Sequence, residues 1–161
     1  MILRKVARPL LASIFVTGGI NALLEAEQHG KLAQPFLDRT VGKAADALPD
    51  AVPTDPTSMV TLDALVKIAG GLALGLGKLP RLAALGLIAS LVPTTLAGHP
   101  FWEIEDPKER AMQRVQFFKN LGLLGGLLLA SADTQGKPSF GWRTRRAAAR
   151  LGDRAHELMP G

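Results

Sequence analysis

The chain has 161 residues, of which 47% are hydrophobic and only 5% aromatic, and it carries a formal net charge of +5. It contains no cysteine, which excludes disulfides, thiolate metal sites and cysteine-based redox chemistry within the chain. Lys and Arg are concentrated at the N-terminus, in one short turn and in the C-terminal tail, without the interleaved aromatic residues that stack on bases, so we expect no nucleic-acid partner.

Four apolar blocks predict an all-α fold, an integral membrane four-helix bundle. The blocks cover residues 9–24, 62–79, 82–98 and 117–132, each near the lower limit of roughly 17 to 25 residues for a membrane helix. Within the fourth block, residues 121–130 are apolar or glycine on every side of the helix. Because such a helix must be buried in lipid or in a large core, and 161 residues cannot enclose four of them, lipid is the expected solvent.

Small residues at four-residue spacing indicate how these helices pack. Lipid tails are as apolar as the helices themselves, so cohesion must come from close backbone approach rather than from the hydrophobic effect. We therefore expect helix seams at three pairs of positions, which are Gly71 with Gly75, Gly86 with Ser90, and Gly122 with Gly126.

Two peripheral segments carry helical periodicity. In the outer loop at 26–60, residues 34–48 predict an amphipathic helix on the outer surface or over a pocket, with a solvated loop as the alternative. Residues 143–161 predict a basic amphipathic helix on the anionic cytoplasmic leaflet, and fixation of topology is a second explanation for its charge. The basic face of this tail consists of Arg143, Arg146, Arg150 and Arg154.

The distribution of positive charge predicts that both termini are cytoplasmic. Residues 1–8 carry three Lys or Arg, the 78–81 turn two and the 133–161 tail six, whereas 25–61 and 99–116 carry three each. The N-terminal basic residues also precede an apolar run as in a signal peptide, but no convincing small-residue cleavage site follows, so we expect the first block to be retained.

Polar residues inside the spans are the strongest functional signal, because a charged group in a membrane is costly. Each of the four helices contributes polar groups near its outer end, which predicts an outward-facing pocket for an anionic or quinone-like head group. The alternative is that the lysines extend to the membrane surface and the asparagines only link helices. The histidines show no metal-ligand spacing, so no metal is expected. The pocket candidates are Asn21, Lys67, His99, Lys119 and Asn120.

Several motifs together resemble the DoxX family of bacterial inner-membrane proteins, in particular its actinobacterial branch. They are RPLL at 8–11, GGIN at 18–21, the Pro80-Arg81 turn, TLAGHPFW at 95–102 and FFKNLGLLGG at 117–126. The resemblance implies a four-helix subunit related to the membrane component of thiosulfate:quinone oxidoreductase, working with oxidative-stress or thiol redox systems. It transfers no demonstrated catalytic role to any residue.

The function predicted from these observations is a DoxX-like inner-membrane subunit associated with redox systems, with a quinone as a possible cofactor. It would need a protein partner or form a homo-oligomer, and it would not be a self-sufficient enzyme. The alternative is a non-catalytic membrane scaffold or accessory subunit of a larger complex.

Overall fold

The computed structural model describes residues 2–40 and 53–133, together with the single positions Arg145, Arg146 and Ala149. The chain divides into two units, residues 1–131 and residues 132–161. The first unit contains the five helices described below, except Ala132, the last residue of the fifth helix. In the second unit, Arg145 and Arg146 are helical and exposed, whereas Arg143, Arg150 and Arg154 lie outside the described residues.

Five helices and no strands make up the described part of the chain, and the predicted all-α fold is confirmed. Four of the helices, α1, α3, α4 and α5, are long and apolar enough to cross a membrane. The helix α2 is shorter and more polar. In chain order the helices are α1 (Ile2–Leu24), α2 (Ala26–Thr40), α3 (Pro56–Gly75), α4 (Pro80–Gly98) and α5 (Pro107–Ala132).

Each spanning helix begins before its apolar block, because polar residues of the membrane interface join its first turns. For α5 the difference is ten residues, and for α1 it is seven. At the start of α3 the Asp55 carboxylate accepts hydrogen bonds from the first free backbone N–H groups, which sets the helix boundary. The helix α3 ends at Gly75, four residues earlier than expected, because Gly77 and Leu79 adopt positive φ angles of 70° and 48° and reverse the chain into α4.

The helix predicted in the 26–60 loop begins eight residues before the predicted start at Gln34 and ends at Thr40; the remainder of the predicted segment lies outside the described residues. Backbone hydrogen bonds from Glu25 to Asn21 and from His29 to Glu25, both 3.0 Å, continue the helical pattern between α1 and α2. The helix α2 then packs on α3 and α4. At Gly30 a Cβ atom would lie 3.1 Å from the Thr57 backbone nitrogen, so glycine permits this close contact with α3.

The closest seam of the bundle joins α1 to α3. A Cβ atom at Gly71 would lie 2.8 Å from Cγ2 of Val16, and one at Gly75 would lie 3.3 Å from Cβ of Ala12. Gly19 on α1 makes an equally close approach in the other direction, since a Cβ there would lie 2.9 Å from the Ala64 carbonyl oxygen. Both predicted glycines of α3 therefore lie where two backbones meet.

The other small residues have different surroundings. Within the described residues, a Cβ atom at Gly86 or at Gly122 would meet nothing within 4 Å, so neither position marks a seam between these helices. At Gly126 a Cβ would make an ordinary van der Waals contact, 3.4 Å, with Leu11 of α1. Ser90 is buried, and its hydroxyl serves a polar contact described below.

The buried core is small and the outer surface is apolar, which is the arrangement expected of a protein dissolved in lipid. Leu127 is the one buried residue of α5, while Leu128 and Leu129 beside it are exposed. The buried cluster joins α1, α3, α4 and α5 and comprises Ala12, Phe15, Leu74, Ala83, Ala84, Leu87, Leu91 and Leu127.

Candidate functional site

A polar cavity of about 450 Å³ lies at the end of the bundle that α2 covers. All five helices contribute to its wall. Most of the wall is apolar, with Ile14, Phe15, Leu91 and Leu123 among the residues that supply it, and the polar groups described below supply the remainder. The volume lies within the range of ordinary small-molecule sites, roughly 300 to 1,000 Å³, and the mixture of apolar wall with a few polar groups is typical of such sites.

The most polar feature of the cavity is an ion pair between two turns of α3. Oδ2 of Asp63 lies 2.6 Å from Nζ of Lys67, and the two side chains are only 22% and 15% exposed. The second carboxylate oxygen of Asp63 accepts a hydrogen bond of 2.5 Å from the Ser90 hydroxyl on α4. Both oxygens of the carboxylate are therefore bound, and the pair is electrically neutral. An isolated charge on a membrane helix costs about 2.5–3.5 kcal/mol, a cost that this pairing reduces.

Two hydrogen bonds connect α4 to α5 along the same cavity. Nδ1 of His99, at the end of α4, lies 2.6 Å from Oε1 of Gln113. With the imidazole N–H donating to that amide oxygen, the neutral ring keeps Nε2 as an acceptor. Nδ2 of Asn120 donates to the Thr95 hydroxyl at 3.0 Å, and that hydroxyl in turn donates to the Leu91 carbonyl.

The helix α2 closes one side of the cavity. Its residues His29, Leu32 and Ala33 line the wall, and Nδ1 of His29 is held 3.0 Å from the Glu25 carbonyl oxygen. The far end of α2 is joined to the loop after α4 by an exposed ion pair between Arg39 and Glu103, 3.3 Å apart. The cavity therefore has a polar helix over it rather than a membrane-spanning one.

The structure brings three of the five predicted pocket residues together. Lys67, His99 and Asn120 line the cavity. Asn21 is exposed and outside the lining, although its neighbour Ala22 is part of it. Lys119 is also exposed, and its ammonium group donates to Gln116 on the same helix.

Asp63 organises the site. The sequence places it with Lys67 among the polar groups near the helix ends, but it was not one of the five predicted pocket residues. Its spacing of four residues from Lys67 is the signal for an ion pair along one helix face. Ser90 was expected only as a packing residue, and Gln113 was not singled out. Their hydrogen bonds span 27 and 14 residues of sequence, and no local pattern indicates which residues such contacts will join.

Beside the polar cavity lies an apolar groove of about 400 Å³. Its walls come from one face of α2, the first half of α3 and the second half of α4. The two spaces have five lining residues in common, and Asp63 and Thr94 are the polar ones among them. The residues that line only the groove include Phe36, Leu37, Leu62, Val66, Gly86, Ala89 and Pro93.

The bundle and its cavity define the class of protein. Four spanning helices with an apolar outer surface, enclosing polar side chains at one end, make this a multi-pass α-helical membrane protein. Within the described residues, no group of three or more His, Asp or Glu side chains is placed to hold a metal ion.

The chain belongs to the DoxX family, whose sequence profile matches residues 3–100. The match covers α1 to α4 and includes Asp63, Lys67 and His99, whereas α5 with Asn120 follows the matched region. No curated protein and no solved structure shows significant similarity to the chain.

Proposed function

We propose that this protein is a DoxX-type subunit of the bacterial inner membrane that binds a quinone in its polar cavity and works with a redox partner. The observation that carries the proposal is the convergence of Lys67, His99 and Asn120 on one cavity between membrane-spanning helices. Polar groups at membrane depth are costly and most often mark a functional site. The relationship to sulfur, thiol or oxidative-stress systems rests on the family resemblance.

The donor set of the cavity fits a neutral ring with carbonyl oxygens better than it fits an anion. Asp63 already neutralises Lys67, so the described lining of the cavity offers no uncompensated Lys or Arg for an anionic ligand. The Lys67 ammonium has three N–H donors, one of which is used by Asp63, and the Asn120 amide has a second N–H beside the one given to Thr95. Phe15 and Leu91 supply apolar walls for a flat ring.

A bound quinone would supply reversible uptake of electrons and protons, which the side chains of this cysteine-free chain do not offer. The residues of the chain would bind and orient it. Lys67 and Asn120 would donate to its oxygens, and Nε2 of His99 would accept or release a proton while Nδ1 remains bound to Gln113. Electrons would have to come from and go to a partner protein.

The test is the amount of quinone that purified protein retains. The full chain, extracted from native membranes in mild detergent, is analysed for quinone by organic extraction and chromatography. A neutral pair variant, Asp63→Asn with Lys67→Met, removes the ammonium donor without leaving a carboxylate unpaired. Lys119→Met removes an exposed lysine outside the cavity and serves as the matched control. We expect retention to fall in the first variant only. Equal retention in both variants would contradict the proposal.

The alternative function is a scaffold that organises a membrane complex, and the surface of α5 favours it. Among the described residues this helix buries Leu127 alone, and its exposed face includes Gly122 and Gly125, where a Cβ would meet nothing within 4 Å. A stoichiometric partner that co-purifies with the native chain and is lost with Gly122→Leu would support the scaffold. A monodisperse protein that retains quinone without any partner would count against it.

The orientation with both termini in the cytoplasm is part of the proposal and follows from the excess of Lys and Arg at that end. The absence of natural cysteine makes it directly testable by single-cysteine labelling. Cysteine at the exposed Glu105, after α4, should react with a membrane-impermeant maleimide in intact cells. Cysteine at the exposed Lys78, between α3 and α4, should react only after the membrane is opened. The opposite labelling pattern would show that both termini lie on the other side of the membrane.

The basic tail belongs to the same proposal as an attachment to anionic lipid. Replacement of Arg143, Arg146, Arg150 and Arg154 by glutamine should weaken binding of the chain to phosphatidylglycerol. The measurement is retention of that lipid by protein purified in mild detergent, compared with retention of phosphatidylcholine. Each cation near an anionic surface contributes about 1 kcal/mol. Unchanged phosphatidylglycerol retention would leave topology as the only role of these residues.

A further inference from the structure

We propose that the apolar groove binds the hydrocarbon tail of an amphiphile whose neutral polar head lies in the polar cavity. The ligand would thus be a membrane-dissolved molecule with a ring-sized head and a long chain, and it would enter sideways from the lipid. The identity of the head as a quinone rests on the function proposed above. The site for the tail stands on its own geometry.

The polar cavity and the apolar groove are continuous. They are not separate pockets on distant surfaces, because five residues line both of them. These residues are Asp63, Thr94, Val60, Ala33 and Ala97. Asp63 and Thr94 thus lie at the junction between a space that several polar groups line and one that is almost entirely apolar. A ligand that occupied both would have to change from polar to apolar along its length at this point.

The rim of the groove is formed by exposed residues of spanning helices. Along its outer rim, Leu62 is 51% exposed and Val66 is 38% exposed, and both belong to the spanning helix α3. Ala89 and Pro93 of the spanning helix α4 form the opposite rim and are also exposed. The exposed surface of a spanning helix faces hydrocarbon, so the groove opens to lipid rather than to water.

The groove would contribute access to the cavity rather than affinity. A tail gains little free energy by leaving lipid for an equally apolar protein surface, so the groove is not expected to be the source of affinity. Its role is access, because a long tail attached to a head in the cavity must have an apolar exit. On the other side the cavity is covered by the polar helix α2. Closing the groove should therefore exclude ligands with a tail and leave ligands without one unaffected.

Gly86 allows the groove to be closed without disturbing the bundle. It lines the groove, and a Cβ atom there would meet nothing within 4 Å. Leucine at this position therefore fits the helix and fills the space that the tail needs. Gly122 on α5 is equally open but lines neither space, so Gly122→Leu is the matched control. Both variants should elute as monodisperse helical protein.

The experiment measures binding of a decyl-substituted benzoquinone and of its methyl-substituted parent to the detergent-solubilised full chain. We expect Gly86→Leu to weaken binding of the decyl compound by about tenfold or more, the usual consequence of filling a fitted site, and to leave the parent compound unchanged. Gly122→Leu should bind both compounds as the native chain does. Equal binding of the decyl compound to native chain and Gly86→Leu would overturn the proposal, as would equal weakening of both compounds.

Failure of the quinone proposal would be visible separately, as absence of binding of either compound to the native chain. The groove is then tested with a neutral monoacylglycerol that carries a photoreactive diazirine in its chain. Preferential labelling of the groove residues of α3 and α4, reduced in Gly86→Leu, would support the tail site with a different head group. Uniform labelling of all lipid-facing helices would overturn it.

Discussion

The ion pair between Asp63 and Lys67 offers the sharpest test of the structure. Asp63→Asn keeps a side-chain oxygen that can accept from Ser90 but removes the charge that neutralises Lys67. Removing one partner of a fully buried pair typically costs 3–5 kcal/mol. The two side chains are 22% and 15% exposed and adjoin an open cavity, which lowers the expected loss of unfolding free energy to about 2–3 kcal/mol.

The assay is equilibrium unfolding in mixed micelles of dodecyl maltoside and sodium dodecyl sulfate, followed by circular dichroism. The matched control is Glu27→Gln, which breaks the ion pair with Lys31. That pair has the same four-residue spacing and a similar distance of 2.7 Å, but its side chains are 77% and 72% exposed. Because solvent screens exposed pairs, the control should leave the unfolding transition unchanged within error.

A double-mutant cycle separates loss of the pair from loss of a side chain. Asp63→Asn combined with Lys67→Met carries no uncompensated charge, so it should recover most of the stability lost in the single variant. A loss of stability in Asp63→Asn no greater than that in Glu27→Gln would contradict a stabilising role for the ion pair between Asp63 and Lys67. A double variant as unstable as the sum of the two single variants would contradict that role as well.

Contacts at Gly71, Asn120 and Asp55 can each be tested by a single substitution. Gly71→Val should lower the unfolding free energy by about 1–3 kcal/mol in the same assay, because the valine side chain has no space at the seam with α1. The control Gly122→Val should have little effect, and similar losses in the two variants would contradict the seam. Asn120→Leu should lower the unfolding free energy by less than about 1 kcal/mol, because Thr95 keeps its hydrogen bond to the Leu91 carbonyl and interhelical hydrogen bonds in membranes are weak. A larger loss would show that the Asn120 amide has a structural role beyond its bond to Thr95. Hydrogen bonds from the hydroxyl and the backbone N–H of Ser58 lower the pKa of the Asp55 carboxyl. The cap of α3 should therefore be fully present above the ordinary aspartate pKa of about 3.9 and be lost as pH falls through the lowered value. Amide exchange of the first turn of α3 should accelerate in that acid range, and Asp55→Asn, which caps without titrating, should abolish the pH dependence.

The number and position of the spanning helices could be predicted from the sequence because they depend on local properties. Whether a segment enters lipid depends on its own side chains. The four apolar blocks therefore indicated where α1, α3, α4 and α5 lie. The exact ends of the helices could not be predicted from the apolar blocks alone. The cap at Asp55 and the reversal at Leu79 shifted α3 towards the N-terminus relative to its apolar block.

The candidate site could be predicted only in part. The sequence indicated that polar residues lie near one end of the spanning helices, and Lys67, His99 and Asn120 do line one cavity. Which way each side chain faces depends on the rotation of its helix, and neighbouring residues differ by about 100° around the axis. For this reason Asn120 lines the cavity while Lys119 is exposed and lies outside it.

An all-α membrane protein could be recognised from the amino-acid sequence alone, because hydropathy is a property of short segments, and the motifs at 8–11, 18–21 and 95–102 pointed to the DoxX family. Which small residues form seams and which polar groups meet depends on the packing of the helices. Gly71 lies against α1 while Gly86 borders open space, although both belong to similar small-residue patterns. Asp63 meets Ser90 on another helix because packing sets the rotation of each helix, and that rotation depends on contacts between segments far apart in the chain.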